Sequence, residues 1–356
     1  MTPRRFARGL VVGKFAPLHH GHELLIGRAL AECDEVVVLS YCDPELPGCG
    51  PERRERWLRD RFPQARRLVL RRDSLPAGWA GGGPDEFTIP PPNDAPHAVH
   101  RRFTALVCLK LLGVEVDAVF TSEAYGEGFA AALTDEFRRH RPGAAGVHHV
   151  AVDPARQLVP ASGTAIRADP HAHRDRLAPD VYASFVRRVC LLGGESSGKS
   201  TLAAALARAL DTVYVPEYGR ERWEACGGDL AFPDMLRIAQ RQVEREDAAV
   251  GRAHGWLVCD TSPLTTLFYS HDLFGRTDPV LERLAAERRY DLTLLCAPDF
   301  PFVQDGTRRD DAFRRRQHAW YLAQLTARRD PWTHVEGDVD RRARTALAHV
   351  RAIAEA

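Results

Sequence analysis

The sequence predicts an α/β protein built from two doubly wound parallel sheets, and three observations carry that reading. Short apolar runs alternate with amphipathic helical stretches from residue 9 onward, the pattern of strands joined by crossover helices. The alternation starts afresh near residue 188 with a strand, a glycine-rich turn and a helix. With 356 residues, the chain has room for two ordinary domains. The expected division is 1–172 and 185–356, with 173–184 as the junction.

In chain order, GLVVGKF (9–15) reads as a buried strand opening into a loop, followed by a helix over about 22–32. EVVVLSY (35–41) is a second strand, 51–62 a charged helix, and RLVLRRD (67–73) a third strand. Residues 74–96 are too rich in glycine and proline for regular structure. A loop of that length is a lid, a binding loop or disordered. Helix 97–112, strand 117–122, helix 127–140 and strand 147–152 then resume the alternation. In the second half, TVYVPEYGR, WLVCDTS and DLTLLCA read as further strand ends between helices. No repeat of solenoid period is present.

Composition excludes several function classes. A net charge of +1 supplies no global field to draw the chain onto nucleic acid or an anionic membrane, so neither is an expected partner. None of the eight cysteines forms a C-x-x-C pair, and several sit inside apolar runs, so neither a zinc site nor a disulfide framework is expected. The first residues lack the apolar core of a signal peptide, and no run of about 18 apolar residues exists. A cytoplasmic location is expected. Only three of the 49 basic residues are lysines: Lys14, Lys110 and Lys199. A lysine kept against so strong an arginine bias marks a place for a compact, flexible point charge.

Lys199 falls in the strongest motif. Residues 193–200 read GGESSGKS, matching G-x-x-x-x-G-K-[ST] between an apolar strand and an amphipathic helix. Such a loop turns backbone N–H groups inward around phosphates. Gly193, Gly194, Glu195, Ser196, Ser197, Gly198, Lys199, Ser200 and Thr201 are therefore the expected ATP-binding residues, with the Ser200 hydroxyl on Mg²⁺. Further on, PEYGRE supplies Glu217, placed to accept a proton from an attacking hydroxyl. Asp260 ends WLVCD, where a carboxylate holds Mg²⁺. The segment 304–317 concentrates Arg308, Arg309, Arg314, Arg315 and Arg316; it reads as a lid over transferred phosphate, with Arg308 the best single candidate, rather than as a solvated basic helix.

The N-terminal half carries GKFAPLHHGH at 13–22. His19, His22 and Lys14 converge on the start of the next helix, an anion-binding end suited to a triphosphate attacked at its α-phosphate. Plain structural histidines are the bland alternative. A metal site fits poorly, because the three histidines are too close together and no carboxylate is near in sequence. At 162–167, SGTAIR opens a second helix, with Ser162, Thr164 and Arg167 available to phosphates. In a doubly wound sheet both segments can meet at the carboxyl ends of central strands.

GKFAPLHHGH and SGTAIR resemble the two signatures of the adenylyltransferase superfamily. With GGESSGKST, PEYGRE, VCDTS and DGTRR in this order, the chain resembles the bifunctional nicotinamide-nucleotide adenylyltransferase / ribosylnicotinamide kinase family over almost all of residues 9–350. The resemblance implies a Rossmann-like nucleotidylyltransferase followed by a P-loop nucleoside kinase. The kinase half would phosphorylate nicotinamide riboside with ATP. The other half would join the mononucleotide to AMP from ATP, giving NAD and pyrophosphate. Carried over by position, His19, His22 and Arg167 would hold the triphosphate, with Gly13, Lys14, Phe15, Ser162 and Thr164 beside it. Lys199 and Ser200 would serve the kinase ATP and Mg²⁺, Glu217 would be the base and Asp260 the metal carboxylate. Tyr218 and Arg220 would lie near the nucleoside. Expected partners are these small molecules, and assembly into a homo-oligomer is compatible with the sequence.

Some members of that family begin with a helix-turn-helix domain; only eight residues precede the first strand here, so that domain is expected to be absent. The 74–96 loop has no counterpart in the resemblance. Two rivals remain: a pantetheine-phosphate adenylyltransferase fused to a dephospho-coenzyme A kinase, and an ATP-binding regulator with a silent half. The Glu-Ser-Ser within the phosphate loop and PEYGRE favour the nicotinamide reading over the first. The second would carry a DNA- or partner-binding appendage.

Overall fold

The structure is a computed structural model that describes residues 4–41, 45–79, 87–123, 125–302 and 309–355. The chain divides into two compact units, Met1–Phe185 and Val186–Ala356.

The first unit runs β1 (Phe6–Gly13), α1 (His20–Glu32), β2 (Cys33–Tyr41), α2 (Pro51–Arg61), β3 (Arg66–Leu70), α3 (His97–Leu106), β4 (Ala118–Thr121), α4 (Gly126–His140), β5 (His148–Ala151), α5 (Gly163–Ala168) and α6 (Pro179–Ala183). Its sheet has the order β3-β2-β1-β4-β5, and every pairing is parallel. The chain therefore leaves β3 at one edge and re-enters beside β1. That reversal opens a crevice beyond the carboxyl ends of β1 and β4, the usual place for a ligand in such sheets. Leu10, Val37, Phe103, Val119 and Leu133 are fully buried in one core cluster and fix the helices against the sheet. The strands were legible because both faces are covered, so they read as continuous apolar runs.

Local chemistry explains the helix ends. α2 begins with Pro51 and Glu52 and ends with Arg59 and Arg61, which suits both the missing N–H of proline and the helix dipole. The predicted helix 97–112 is α-helical only to Leu106 and continues as a wider turn over Val107–Leu112. The described parts of the 74–96 loop are not loose. Leu75, Trp79 and Phe87 pack on the core, Trp79 and Phe87 both meet Phe103 edge-on, and the Trp79 indole donates to the Phe87 carbonyl at 2.6 Å. Residues 173–184, expected as a junction, carry α6, with Tyr182 buried and Ser184 accepting from the Trp57 indole at 2.9 Å.

The second unit runs β6 (Arg187–Gly193), α7 (Lys199–Ala209), β7 (Tyr214–Val215), α8 (Tyr218–Ala225), α9 (Phe232–Ala249), β8 (Trp256–Asp260), α10 (Pro263–Phe274), α11 (Pro279–Glu287), β9 (Leu292–Cys296), α12 (Asp311–Ala327), β10 (Trp332–Val335) and α13 (Val339–Glu355). Its parallel sheet has the order β10-β9-β6-β8-β7, again with the first strand central. The lid expected over 304–317 needs correction in its second part. Residues 311–317 form the first turns of α12, capped by the Asp310 carboxylate on the Phe313 N–H at 2.6 Å. Arg314 is buried there and donates to the Phe300 carbonyl at 2.8 Å, while Arg315 pairs with Asp311 at 2.7 Å. Arg308 lies outside the described residues. Among the described residues no helix is long and apolar enough to cross a membrane.

Candidate functional sites

Each unit has a cavity at the carboxyl end of its central strand. In the first, a cavity of about 550 Å³ is walled by the 13–22 loop, the 162–167 turn and the first turns of α3. The sequence placed the start of α1 near His22; the helix instead begins at His20 with His19 as its N-cap. Both imidazoles therefore sit at the helix mouth, stacked with ring centroids 3.7 Å apart. Phe15 is fully buried and does not line the cavity; its ring backs His22 edge-on at 4.9 Å. Gly13, Lys14, Ser162, Thr164 and Arg167 all line it.

One contact joins the two motifs. The Arg167 guanidinium donates to the Ala16 carbonyl across 151 positions of sequence, and its other arm donates to the Thr164 hydroxyl at 3.0 Å. Gly163 lies between the two motifs: a Cβ there would stand 3.3 Å from the Arg167 guanidinium and at ordinary contact distance, 3.5 Å, from the Ala16 carbonyl oxygen. Ser162 caps α5.

Burial sets the charge of this site. It pushes the His19 pKa down to about 4, with the nearby Arg156 and His20 adding to it. His22 is held well below its usual value by burial and by His19. Both are neutral at pH 7, and His19 Nδ1 has no hydrogen-bond partner among the described residues. The site thus offers neutral N–H donors beside the cations Lys14 and Arg167. Sequence reasoning missed Tyr41, His97, His100, Arg101 and Arg156 in the same wall. His97 and His100 lie one helical turn apart, which is the signal that was there to be read.

The second cavity, about 440 Å³, is walled by Glu195, Ser196, Ser197, Gly198, Lys199, Ser200 and Thr201, with Glu217, Arg220 and Trp223 opposite. Gly193, Gly194 and Tyr218 lie outside its wall. Gly194 permits tight packing behind the loop, where a Cβ would meet the Arg314 carbonyl at 2.6 Å. Tyr218 is instead packed on α9, beneath Arg245 at 4.4 Å and with its N–H on Gln242 at 2.9 Å. Lys199 Nζ folds back onto the Gly194 carbonyl at 3.1 Å, spanning the mouth of the loop.

The carboxylates here are poised differently from ordinary surface acids. Glu217 stands at the N-cap position of α8, and burial raises its pKa; Lys199 opposes that rise and Asp260 adds to it. Asp260 is buried at the end of β8, and burial raises its pKa against the pull of Lys199 and a hydrogen bond with Ser200. Its Oδ1 has no hydrogen-bond partner among the described residues. A buried carboxylate oxygen left open beside a serine hydroxyl and a phosphate loop fits a divalent cation carrying phosphate ligands.

Two partners of the loop went unpredicted. Gln317 accepts from the Glu195 N–H at 3.0 Å, and Tyr269 donates to the Glu195 carboxylate at 2.8 Å. Gln317 had a signal: it stands in the buried stripe Phe313, Gln317, Tyr321, Leu325 at fourfold spacing, and a polar residue there needs a partner.

Comparison with known proteins adds the following. A family described as an AAA domain matches residues 188–342. The trifunctional NAD biosynthesis/regulator protein NadR of Escherichia coli (strain K12) is 31% identical over 326 residues, covering 84% of this chain and 71% of the relative. A crystal structure of NadR protein in complex with NR has a TM-score of 0.65 at 23% identity, covering 100% of this chain and 98% of that one. Another, in complex with NAD and AMP-PNP, has a TM-score of 0.64 at 22% identity over 99% and 97% of the two chains.

Proposed function

This chain belongs to the NadR family, and from that premise we propose that it is a bifunctional NAD salvage enzyme with one reaction per unit. The unit 186–356 would phosphorylate nicotinamide riboside with ATP. The unit 1–185 would adenylylate the resulting mononucleotide, releasing pyrophosphate. The observation that supports this assignment best is the Arg167–Ala16 hydrogen bond, which draws both transferase motifs onto one cavity while the phosphate loop walls a separate one.

In the transferase cavity, a phosphate oxygen of the mononucleotide attacks the α-phosphorus of ATP. An O–P bond forms, the bond to the β-phosphate oxygen breaks, and pyrophosphate leaves. No protein nucleophile or base is needed, because the attacking group is already an anion. The neutral His19 and His22 imidazoles donate N–H bonds to the charge growing on the phosphates, and Arg167 and Lys14 add positive charge. Ser162, Thr164 and the α5 N-terminus complete the cradle.

In the kinase cavity, the attacking group is the ribose 5′-hydroxyl, which must lose a proton as it attacks the γ-phosphorus; an O–P bond forms, the bond from the γ-phosphorus to the β-phosphate oxygen breaks, and ADP leaves. Glu217 takes that proton; its raised pKa keeps the carboxylate a competent base near neutrality. Lys199 and the inward N–H groups of the 194–200 loop hold the phosphates. Ser200 and Asp260 would hold Mg²⁺, whose charge offsets that of the phosphates. Arg220, on the cavity wall, is placed for the nucleoside.

The test is product analysis with purified protein, ATP and Mg²⁺, given nicotinamide riboside in one reaction and nicotinamide mononucleotide in another. Mononucleotide from the first and NAD from the second are expected. Mononucleotide without NAD would assign the first unit another substrate. Neither product would overturn the reading and point to coenzyme A precursors.

A further inference from the structure

We infer that Arg342, on the C-terminal helix α13, is a positioning residue for the kinase phosphate loop, aiming the Gly198 N–H at bound phosphate. It is fully buried, yet it lines neither of the two cavities, and no sequence motif marks it. Burying a guanidinium is costly unless its donors are satisfied, and here they are spent on three separate loops. Nη1 donates to the Ser197 carbonyl at 2.6 Å, Nη2 to the Ala297 carbonyl at 3.0 Å, and Nε to the Gly337 carbonyl at 2.8 Å. Nη2 also pairs with Asp299, whose other oxygen accepts from the Gly337 N–H at 2.6 Å. The guanidinium plane lies over Phe300 at 4.2 Å.

The contact with Ser197 is the informative one. The Ser197–Gly198 peptide precedes the first residue of α7, so its carbonyl stands outside the helical ladder. A trans peptide is planar, with its C=O and N–H pointing in opposite directions. Fixing the Ser197 carbonyl toward Arg342 therefore turns the Gly198 N–H the other way, toward the cavity that Ser197, Gly198 and Lys199 line. Gly198 holds φ +76, and a Cβ there would meet Phe300 at 2.7 Å, the ring that Arg342 covers. Arginine, peptide and ring thus define one orientation of the loop. Lysine, with a single nitrogen, cannot reach the Ser197, Ala297 and Gly337 carbonyls together.

The inference rests on the kinase reading only in taking ATP as the ligand of this loop. Its test therefore includes binding of a non-hydrolysable ATP analogue with Mg²⁺ at the kinase site, read as the component of binding that Lys199→Ala removes, which needs no acceptor substrate. In full-length Arg342→Lys, analogue affinity and kcat/KM for ATP should fall about tenfold or more. The KM for the riboside and the transferase activity of the same molecules should stay within about twofold. A well-folded Arg342→Lys protein that binds the analogue like the wild type overturns the proposal. If Arg342→Lys does not fold, Asp299→Asn decides, since it loosens the guanidinium without removing it. A raised KM for ATP with unchanged riboside KM is expected, and no change in KM for ATP overturns the proposal. A wild-type chain that binds the analogue but does not phosphorylate the riboside would sink the kinase assignment and leave the role of Arg342 standing.

Discussion

The two cavities solve the same problem with different chemistry. Both lie beyond the carboxyl end of a central parallel strand, and both have a helix N-terminus in the wall, an anion-binding end. The first keeps its carboxylates occupied. Glu123 pairs with Arg156 at 2.7 Å, and Asp153 accepts the N–H groups of Gln157, Leu158 and Val159. The donors facing the cavity include two imidazoles that burial keeps neutral, beside the cations Lys14 and Arg167. The second has Glu217 in its wall and Asp260 buried at the end of β8, hydrogen-bonded to the wall residue Ser200; burial raises both pKa values, and Asp260 Oδ1 has no partner among the described residues. The difference follows from the attacking groups we assign. A phosphate oxygen arrives as an anion and needs only charge stabilisation. A hydroxyl needs a proton acceptor as well.

The largest effects should separate the two sites. Lys199→Ala should reduce riboside phosphorylation on the order of a thousandfold while leaving NAD formation from supplied mononucleotide within about twofold. His22→Ala should do the reverse. Loss of both activities from either change in a folded protein would break the division of labour. Next comes Glu217→Gln, with kinase kcat down about a hundredfold. Because the Glu217 pKa is raised, wild-type kcat should climb with pH on the acid side as the carboxylate ionises, and this limb should flatten in the variant. A Glu217→Gln enzyme that keeps the wild-type limb would assign the base to another residue.

How much of this was legible in the sequence depended on how far apart the partners lie. Strand runs such as VVVLS and the phosphate loop are local, because parallel strands covered on both faces are simply apolar and the loop's glycines announce its geometry. His19, His22 and Arg167 could be named because each sits in a compact motif. Gln317, Arg342 and the His97–Arg101 wall could not be placed, since their meaning arises only when crossovers bring distant segments together. The misreading of 311–317 has a local cause. An arginine cluster suggested phosphate contact, but Asp310 is an N-cap signal, and helix α12 buries Arg314 while pointing Arg315 outward. Tyr218 shows the opposite failure: its motif is intact, yet its ring is committed to α9 and Arg245.

The smallest predicted effect concerns stability rather than rate, and it tests the neutral imidazoles directly. With a folded pKa of about 4 against 6.5 in the unfolded chain, His19 binds its proton more readily when unfolded. Between those values the unfolded state carries more protons, so stability rises with pH and falls on acidification. A single group with this shift costs the first unit about 2 kcal/mol between pH 7 and pH 5, and His22 acts in the same direction. The second unit's two carboxylates have the opposite displacement: their raised pKa values disfavour the charged form, so acidification relieves them. Thermal unfolding of the full chain should therefore show the transition of the first unit moving down from pH 7 to pH 5, and His19→Gln should shrink that movement. Saturating ATP with Mg²⁺ should reduce it too, because bound phosphate favours protonated imidazole and raises the folded pKa. An unchanged acid shift in His19→Gln would mean that the histidine pair is not what burial has neutralised, and the contrast between the two cavities would then have to rest on the carboxylates alone.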